Sequence, residues 1–439
     1  FIRYVRDRYG SQHVAQIVTY STFGAKQAIR DVFKRYGVPE YELTNITKKI
    51  SFRDTLTTAY EKNLQFRQVI NSKIEYQKAF EIARKIEGYP RQTSIHAAGV
   101  VMSDQDLTDY IPLKYGEDML ITQYDAHGVE ANGLLKMDLL GLRNLTFVQK
   151  MKELLAESEG VHLKIEEIDL EDKETLALFA TGNTKGIFQF EQPGAIRLLK
   201  RVQPQVFEEV VATTSLNRPG ASDYIDNFVA RKHGKEKVTV LDPALEDILS
   251  STYGIMLYQE QVMQIVQAIG GFSLGGADLV RRAMGKKIKE EMDRLKGEFV
   301  KGAEAKGLNG QKADDLFELI VKFAGYGFNK SHSAAYAYVT FQTAYLKAYY
   351  PAEFMAALLT SEESNVDKIV RYIDEIKRIN IDTLPPSINK STKEFSVVKN
   401  EGHDGIIFGL GAIKGVGGAA IENIIAERDA KGEFKSMDD

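Results

Sequence analysis

Residues 321–338 combine side chains and backbone that could bind a chain of phosphates. Gly325 and Gly327 free the backbone, and Lys330, two serines and His332 lead into an alanine- and tyrosine-rich segment that we expect to be a helix. Backbone amides at a helix start point outward and carry partial positive charge, which attracts anions. With a lysine and a histidine beside them, these amides would suit a triphosphate. The residues are also compatible with a serine-capped turn before an amphipathic helix.

The glycine spacing excludes two familiar nucleotide-binding loops. The series Gly325-x-Gly327-x-x-Lys330 lacks the third glycine of a dinucleotide-binding fingerprint, and the chain contains no Gly-x-x-x-x-Gly-Lys-Ser/Thr loop. A triphosphate site in this chain would therefore differ from those of the Rossmann and P-loop proteins.

Lys136 and Asp138 lie in the apolar segment 134–140, which we expect to be a strand. Alternation along a strand places them on one face. A carboxylate among leucines is costly unless it is paired, protonated or bound to a metal. An acid that holds Mg²⁺ beside a lysine that meets a phosphate oxygen would fit, and a strand-end salt bridge remains the alternative.

A two-metal phosphoryl-transfer site needs more than one carboxylate. Asp104 and Asp106 have the Asp-x-Asp spacing, but Ser103, Gln105 and Thr108 around them predict a loop. The sequence therefore provides no convincing partner for Asp138.

Two arginine-containing segments could also contact phosphates. Residues 281–289, beginning with Arg281 and Arg282, contain five bases and no acid. Such a run suits a nucleotide or a nucleic-acid backbone, although Glu290, Glu291 and Asp293 could pair with it on a helix. Arg218 lies in the turn 217–220, where a fixed arginine could make forked phosphate contacts or simply lie at the surface.

Residues 409–417, followed by a helix from 419 to 428, have the pattern of a helix-hairpin-helix. Gly415 and Gly417 would let backbone amides approach a phosphate, Lys414 adds charge, and Val416 would pack inward. Such a contact would be independent of nucleotide sequence.

Composition limits the class of protein. The chain has 439 residues, enough for two to four domains, and a formal net charge of −4, so nucleic-acid binding would depend on local patches. Without cysteine, disulfides and thiol–metal sites are excluded. No apolar run approaches the ~20 residues of a membrane span. Because position 1 is Phe within a helix-like segment, we expect an internal fragment of a larger chain.

The pattern of apolar residues predicts the elements that position these groups. We expect a helix and a strand within residues 1–20, helices over 24–90, strands at 96–102 and 134–140, and long helices over 145–385. The segment 253–261 reads as a short strand that enters a helix and is mostly core. Pro385-Pro386 marks a boundary before a small module.

Several long motifs, in order along the whole chain, resemble the C family of DNA polymerases, the alpha subunits of bacterial DNA polymerase III, in the form without an inserted exonuclease. The strongest segments are 96–101, 136–142, 258–263, 281–287 and 323–337.

The resemblance implies an α+β, mostly helical fold with a nucleotidyltransferase-like palm. The palm would comprise residues 1–21 and 95–144, the thumb 22–94 and the fingers 145–385, and residues 386–439 would begin the helix-hairpin-helix, duplex-binding region.

The resemblance also implies roles for individual residues. Asp138 would be the third of three catalytic, metal-binding aspartates, the other two lying upstream of Phe1. The incoming triphosphate would be held by Lys136, Arg218, Arg281, Arg282, Lys330 and His332. Primer-template DNA would be held by Lys414, Gly415 and Gly417.

The implied activity is template-directed DNA synthesis with two Mg²⁺ ions, in the cytoplasm and without membrane contact. Deoxynucleoside triphosphates would be substrates, and a sliding clamp and other replisome subunits would bind regions mostly outside this chain. With one of the three catalytic aspartates, the chain alone is expected to be inactive. A non-catalytic nucleic-acid-binding module and a different Mg²⁺-dependent nucleotidyltransferase are the alternatives.

Overall fold

The computed structural model describes residues 1–51, 54–218, 221–286, 289–324, 327–400 and 402–436, without the side chains of 284–289 and 324. Phe52, Arg53, Pro219, Gly220, Lys287, Ile288, Gly325 and Tyr326 of the segments discussed above lie outside these ranges. The chain divides into two compact units, Phe1–Gly141 and Leu142–Asp439. Helices predominate and the sheets are small, which confirms the α+β, mostly helical class.

The first unit contains a five-stranded sheet in the order β3-β4-β1-β2-β5. Its strands are β1 Val14–Thr22, β2 Pro90–Met102, β3 Leu113–Tyr115, β4 Leu120–Thr122 and β5 Leu135–Asp138. β1 pairs antiparallel with β2 and parallel with β4, and β5 pairs antiparallel with β2 at the sheet edge. The three predicted strands are confirmed, with shifted ends. β1 is the central strand of the sheet, and its residues Val14, Ala15, Ile17 and Val18 are all buried.

The helices of the first unit fall into two groups. α1 Ile2–Tyr9 precedes β1, and α7 Ala126–Ala131 lies between β4 and β5 in the sequence. The helices between β1 and β2 are α2 Ala25–Arg35, α3 Glu40–Lys48, α4 Leu56–Lys62, α5 Leu64–Asn71 and α6 Ile74–Ile86. The apolar faces of these five helices meet around Phe33, Phe66 and Phe80, which have at most 3 % exposure, so this group has its own core.

The second unit is mainly helical, as predicted for residues 145–385. Its helices are α8 Arg143–Ser158, α9 Lys173–Thr181, α10 Pro193–Val202, α11 Phe207–Leu216, α12 Ile225–Lys232, α13 Glu246–Leu249, α14 Gln259–Ala268, α15 Leu274–Lys286, α16 Lys289–Ala305, α17 Gly310–Ala324, α18 Lys330–Tyr349, α19 Pro351–Ser361 and α20 Val366–Arg378. One core surrounds Phe179, Phe341 and Phe354, and a second surrounds Phe299 and Phe317.

A three-stranded sheet and one helix end the second unit. β6 Asp382–Leu384 pairs parallel with β8 His403–Ile407, and β8 pairs antiparallel with β7 Ser396–Asn400. The last helix, α21, spans Gly418–Lys431. Pro385-Pro386 lies in the connection from β6 to β7, so strands of one small sheet lie on both sides of this proline pair in the sequence. Among the described helices, none combines the length and apolar character that a bilayer span requires.

Candidate functional site

Lys136 and Asp138 lie on the same face of β5, as the alternation predicts. The Lys136 Nζ is 3.3 Å from the Asp138 Oδ1. The lysine side chain is 21 % exposed and the carboxylate 62 % exposed. The expected burial of Asp138 among leucines is wrong, because β5 is an edge strand and Leu135 and Leu140 are themselves largely exposed. The carboxylate is therefore accessible to a ligand and has a cation beside it.

An irregularity in β2 faces Asp138. Gly99 is the β2 partner of Asp138, and the Nδ1 of His96 accepts hydrogen bonds from the amides of Ala98 at 3.1 Å and Gly99 at 2.7 Å. A Cβ at Gly99 would lie 3.2 Å from the Cε of Lys136 and 2.9 Å from the His96 Nδ1. A side chain at position 99 would therefore crowd both Lys136 and His96. The sequence pattern had indicated only a buried strand here.

The described residues contain no group of three or more His, Asp or Glu side chains that could hold a metal ion. The carboxylate of Asp106 accepts hydrogen bonds from the amide and hydroxyl of Thr108 at 2.9 and 2.6 Å, and among the described residues it joins no metal-binding group with Asp138. These bonds lower the pKa of Asp106 and stabilise a short turn, as the loop prediction requires. Asp138 could supply one ligand, and one carboxylate does not form a two-metal site.

The start of α18 differs from the expected free anion site. The N-cap is Asn329, whose Oδ1 accepts the amide of His332 at 2.8 Å, and no serine caps the helix. The carboxylate of Glu260 accepts the amide of Lys330 at 2.8 Å and the Nδ2 of Asn329 at 2.6 Å. Two of the first amides are therefore bonded to protein acceptors, and anion binding here depends mainly on side chains.

The ammonium group of Lys330 has two neighbours. Its Nζ lies 3.2 Å from the Oε2 of Glu208 on α11 and 5.5 Å from the centre of the buried ring of Tyr258. The Lys330 side chain is 34 % exposed and that of Glu208 is 50 % exposed, so water and ligands can reach the pair. An aromatic face attracts a cation, so the ring and the carboxylate together fix the position of the ammonium group.

A series of rings places Arg218 and His332 near each other. The guanidinium of Arg218 lies 4.3 Å from the ring centre of Phe328, which makes an edge contact of 5.1 Å with His332. His332 stacks on Tyr336 at 4.3 Å, and Tyr336 contacts Phe188 at 5.6 Å. Because Phe328 and Lys330 are two residues apart, the structure places Arg218, Lys330 and His332 in one region of the second unit.

The segment 257–261 holds this region in place. Leu257 and Tyr258 are buried, as expected for core residues. Gln259 donates from its backbone to the Phe328 carbonyl and from its Nε2 to the Gly327 carbonyl, both at 3.0 Å, and the Phe328 amide donates to the Leu257 carbonyl at 3.3 Å. These bonds, with those of Glu260, give the segment a positioning role that its apolar pattern did not indicate.

Arg281 and Arg282 form a separate group on α15. Both side chains contact the carboxylate of Asp278 at 2.7 Å, and hydrogen bonding to Arg281 lowers the pKa of Asp278. Among described residues, no hydrogen bond or ion pair joins these arginines to Lys330. In the alternative interpretation, this run pairs with the acids that follow it, but of these Glu291 binds Arg294 and neither described arginine of the run.

The predicted hairpin forms an exposed turn before α21. Gly415 has a φ of +91°, which favours glycine, whereas Gly417 is extended with a φ of −79° and caps the helix. Lys414 is exposed, Val416 is half-buried, and a Cβ at Gly417 would meet no atom within 4 Å. The turn therefore leaves the first amides of α21 open to a phosphate.

Three family models match the chain. The bacterial DNA polymerase III alpha NTPase domain matches residues 1–141, the finger domain of the bacterial DNA polymerase III alpha subunit matches 144–307, and a helix-hairpin-helix motif matches 380–439. The first match ends where the first structural unit ends.

Curated relatives carry the same family description. A DNA polymerase III subunit alpha of Streptococcus pyogenes serotype M1 is 62 % identical over 386 residues, covering 88 % of this chain and 37 % of the relative. The DNA polymerase III subunit alpha of Campylobacter jejuni is 49 % identical across 100 % of this chain and 37 % of the relative. That of Thermus aquaticus is 42 % identical across 100 % of this chain and 36 % of the relative. The chain therefore spans little more than a third of these relatives.

Proposed function

Because the chain belongs to the bacterial DNA polymerase III alpha subunit family, we propose that it is part of the catalytic core of a template-directed, replicative DNA polymerase. The observation that supports this most directly is the exposed Asp138 carboxylate beside Lys136 on the edge strand β5. An accessible acid next to a cation is what a site for a metal-bound phosphate needs.

We propose that the palm comprises residues 1–21 and 95–144, the thumb 22–94, the fingers 145–385 and the duplex-binding region 386–439. The five-stranded sheet supports this division, because three of its strands, all but the last residue of β1 and most of β2 fall within the proposed palm. The α2–α6 bundle has a core of its own, as a thumb inserted between β1 and β2 requires.

The fingers would bind the triphosphate of an incoming nucleotide. Arg218 and His332 contact Phe328, Lys330 lies two residues further along the chain, and the three offer nitrogen-containing side chains. Arg281 and Arg282 would add two guanidinium groups from α15. We propose a phosphate-binding role for Lys136 as well. Since Asp278 and Glu208 neutralise part of this charge, the ligand must compete with them.

The proposed Mg²⁺ ions need more ligands than the described residues supply. Asp138 offers one accessible carboxylate, and the described residues contain no metal-binding group of three. On the basis of the family resemblance, we propose that the further ligands lie outside these 439 residues. The complete polymerase would contain the full site, whereas this chain alone would bind substrates without joining them.

The hairpin at 414–417 would grip the sugar-phosphate backbone of the primer-template duplex through open amides, with Lys414 as a counter-charge. As a replication enzyme, the complete protein would act in the cytoplasm with a sliding clamp and other replisome subunits.

Two titrations of the purified chain test the proposal, one with a primer-template duplex and one with a deoxynucleoside triphosphate, the latter with and without duplex. We expect duplex binding, and nucleotide binding that is strengthened by the matching template. DNA binding without any nucleotide binding would support a non-catalytic module. Nucleotide binding that ignores the template would support an untemplated nucleotidyltransferase.

A further inference from the structure

Glu208 forms a partly exposed salt bridge with the ammonium group of Lys330. The pair is half-exposed, with 50 % of the Glu208 side chain and 34 % of the Lys330 side chain accessible. Exposed ion pairs contribute little to folding, so this contact can be broken at low cost. What the carboxylate does change is the charge that an approaching anion meets.

Its neighbour along the chain is held firmly. Glu209 is 5 % exposed and is bonded to Lys232, to the hydroxyl of Tyr253 and to the amide of Gln205. This buried network fixes α11 at the residue next to Glu208. The Glu208 carboxylate is thus presented to Lys330 from a rigid helix.

The position of Lys330 does not depend on Glu208 alone. Its backbone amide is bonded to Glu260, and its ammonium group lies over the ring of Tyr258, which has 1 % exposure. If Glu208 moved away, both restraints would remain. The ammonium group would keep its place and lose its counter-ion.

We propose, on the basis of the function proposed above, that Glu208 is an exchangeable counter-ion of Lys330, which the triphosphate of the incoming nucleotide displaces when it binds. Glu208 is then a positioning residue that sets the strength of anion binding. Glu260, by contrast, bonds to backbone and N-cap and is not displaced. The two carboxylates beside one lysine have different tasks.

The test measures the affinity of a deoxynucleoside triphosphate for wild-type chain and variants, with inorganic triphosphate as a second probe. Glu208→Gln keeps the shape and removes the charge, so we expect the dissociation constant to fall about two- to fivefold. Glu208→Asp keeps the charge and should stay nearer to wild type. Glu174→Gln, an exposed carboxylate on α9, controls for the change in net charge and should have little effect.

A double-mutant cycle separates this inference from the proposed function. Lys330→Ala should weaken binding about tenfold or more, and adding Glu208→Gln to it should then produce no further gain. If Lys330→Ala leaves the affinity unchanged, Lys330 does not bind the triphosphate, and the counter-ion role fails together with the triphosphate-binding role proposed for Lys330. If Lys330→Ala weakens binding but Glu208→Gln does not strengthen it, or does so equally without Lys330, only the counter-ion role is overturned.

Discussion

Asp138 can be neutralised without disturbing the fold, because its side chain is 62 % exposed and lies on an edge strand. In a complete polymerase that contains this chain, we expect Asp138→Asn to lower primer extension by about a hundredfold or more, since a removed metal ligand or oxyanion contact typically has effects of that size. Duplex binding should change little. Asp104→Asn is the matched control, because Asp104 lies in the exposed loop of the rejected Asp-x-Asp pair. Near wild-type extension by Asp138→Asn would make Asp138 structural.

Lys330 and Arg282 can be compared at the same scale. Each should contact triphosphate oxygens, so alanine at either position should weaken nucleotide binding by about 1.5–3 kcal/mol, measured as the rise in nucleotide concentration needed for half-maximal extension. Arg294→Ala is the control, because Arg294 pairs with Glu291 and Glu298 on the neighbouring helix α16. Unchanged nucleotide affinity with weakened DNA binding would reassign both residues to the primer-template.

The turn before α21 allows the contribution of one element to duplex binding to be tested. Gly417 is extended and has open space around it, so Gly417→Val can fold, but its side chain would block the close approach of a phosphate. We expect weaker binding of every duplex sequence and a salt dependence reduced by about one phosphate contact. Nucleotide affinity should be unchanged.

Two measurements make the hairpin experiment decisive. The melting temperature should stay near that of wild type, and Gly297→Val, at an open glycine of α16, should leave DNA affinity unaltered. A folded Gly417→Val variant with normal affinity and salt slope would show that the hairpin is a packing element.

A buried ion pair joins helix α11 to helix α12. Glu209 and Lys232 are each 5 % exposed. Glu209→Gln leaves the lysine without a counter-ion, so we expect the free energy of unfolding to fall by about 3 kcal/mol in chemical denaturation. Glu394→Gln breaks the exposed pair with Lys150 and should cost less than about 1 kcal/mol. Equal small losses would mean that the buried charges contribute little.

The same pair predicts a pH dependence. Burial alone would raise the pKa of Glu209, but hydrogen bonds from Lys232, Tyr253 and Gln205 outweigh it and hold the pKa below its ordinary value. A group with a lowered pKa in the folded state contributes stability above its unfolded pKa of about 4.3, and loses it as the pH falls further. The stability difference between wild type and Glu209→Gln should therefore shrink below about pH 4.3.

For the whole molecule, periodic patterns were the most informative part of the sequence. The alternation at Lys136 and Asp138 predicted their shared face, and the helical region after residue 145 was also predicted. The exposure of Asp138 was not predicted, because the position of β5 at the sheet edge depends on pairing with distant residues. Glu208 and Glu260 gave no signal either, since each reaches the Lys330 region from another helix.

The last prediction concerns catalysis by the chain as a whole. A two-metal reaction needs at least two well-placed carboxylates, and the described residues provide Asp138 without a metal-binding group of three. The purified 439-residue chain should therefore bind a primer-template and a triphosphate but not extend the primer, as read on a denaturing gel with Mg²⁺ present. A complete alpha subunit that contains the same residues is the positive control, and its Asp138→Asn variant is the negative control. Extension by the short chain above the no-enzyme background, abolished by Asp138→Asn, would show that its own residues suffice to build the metal site.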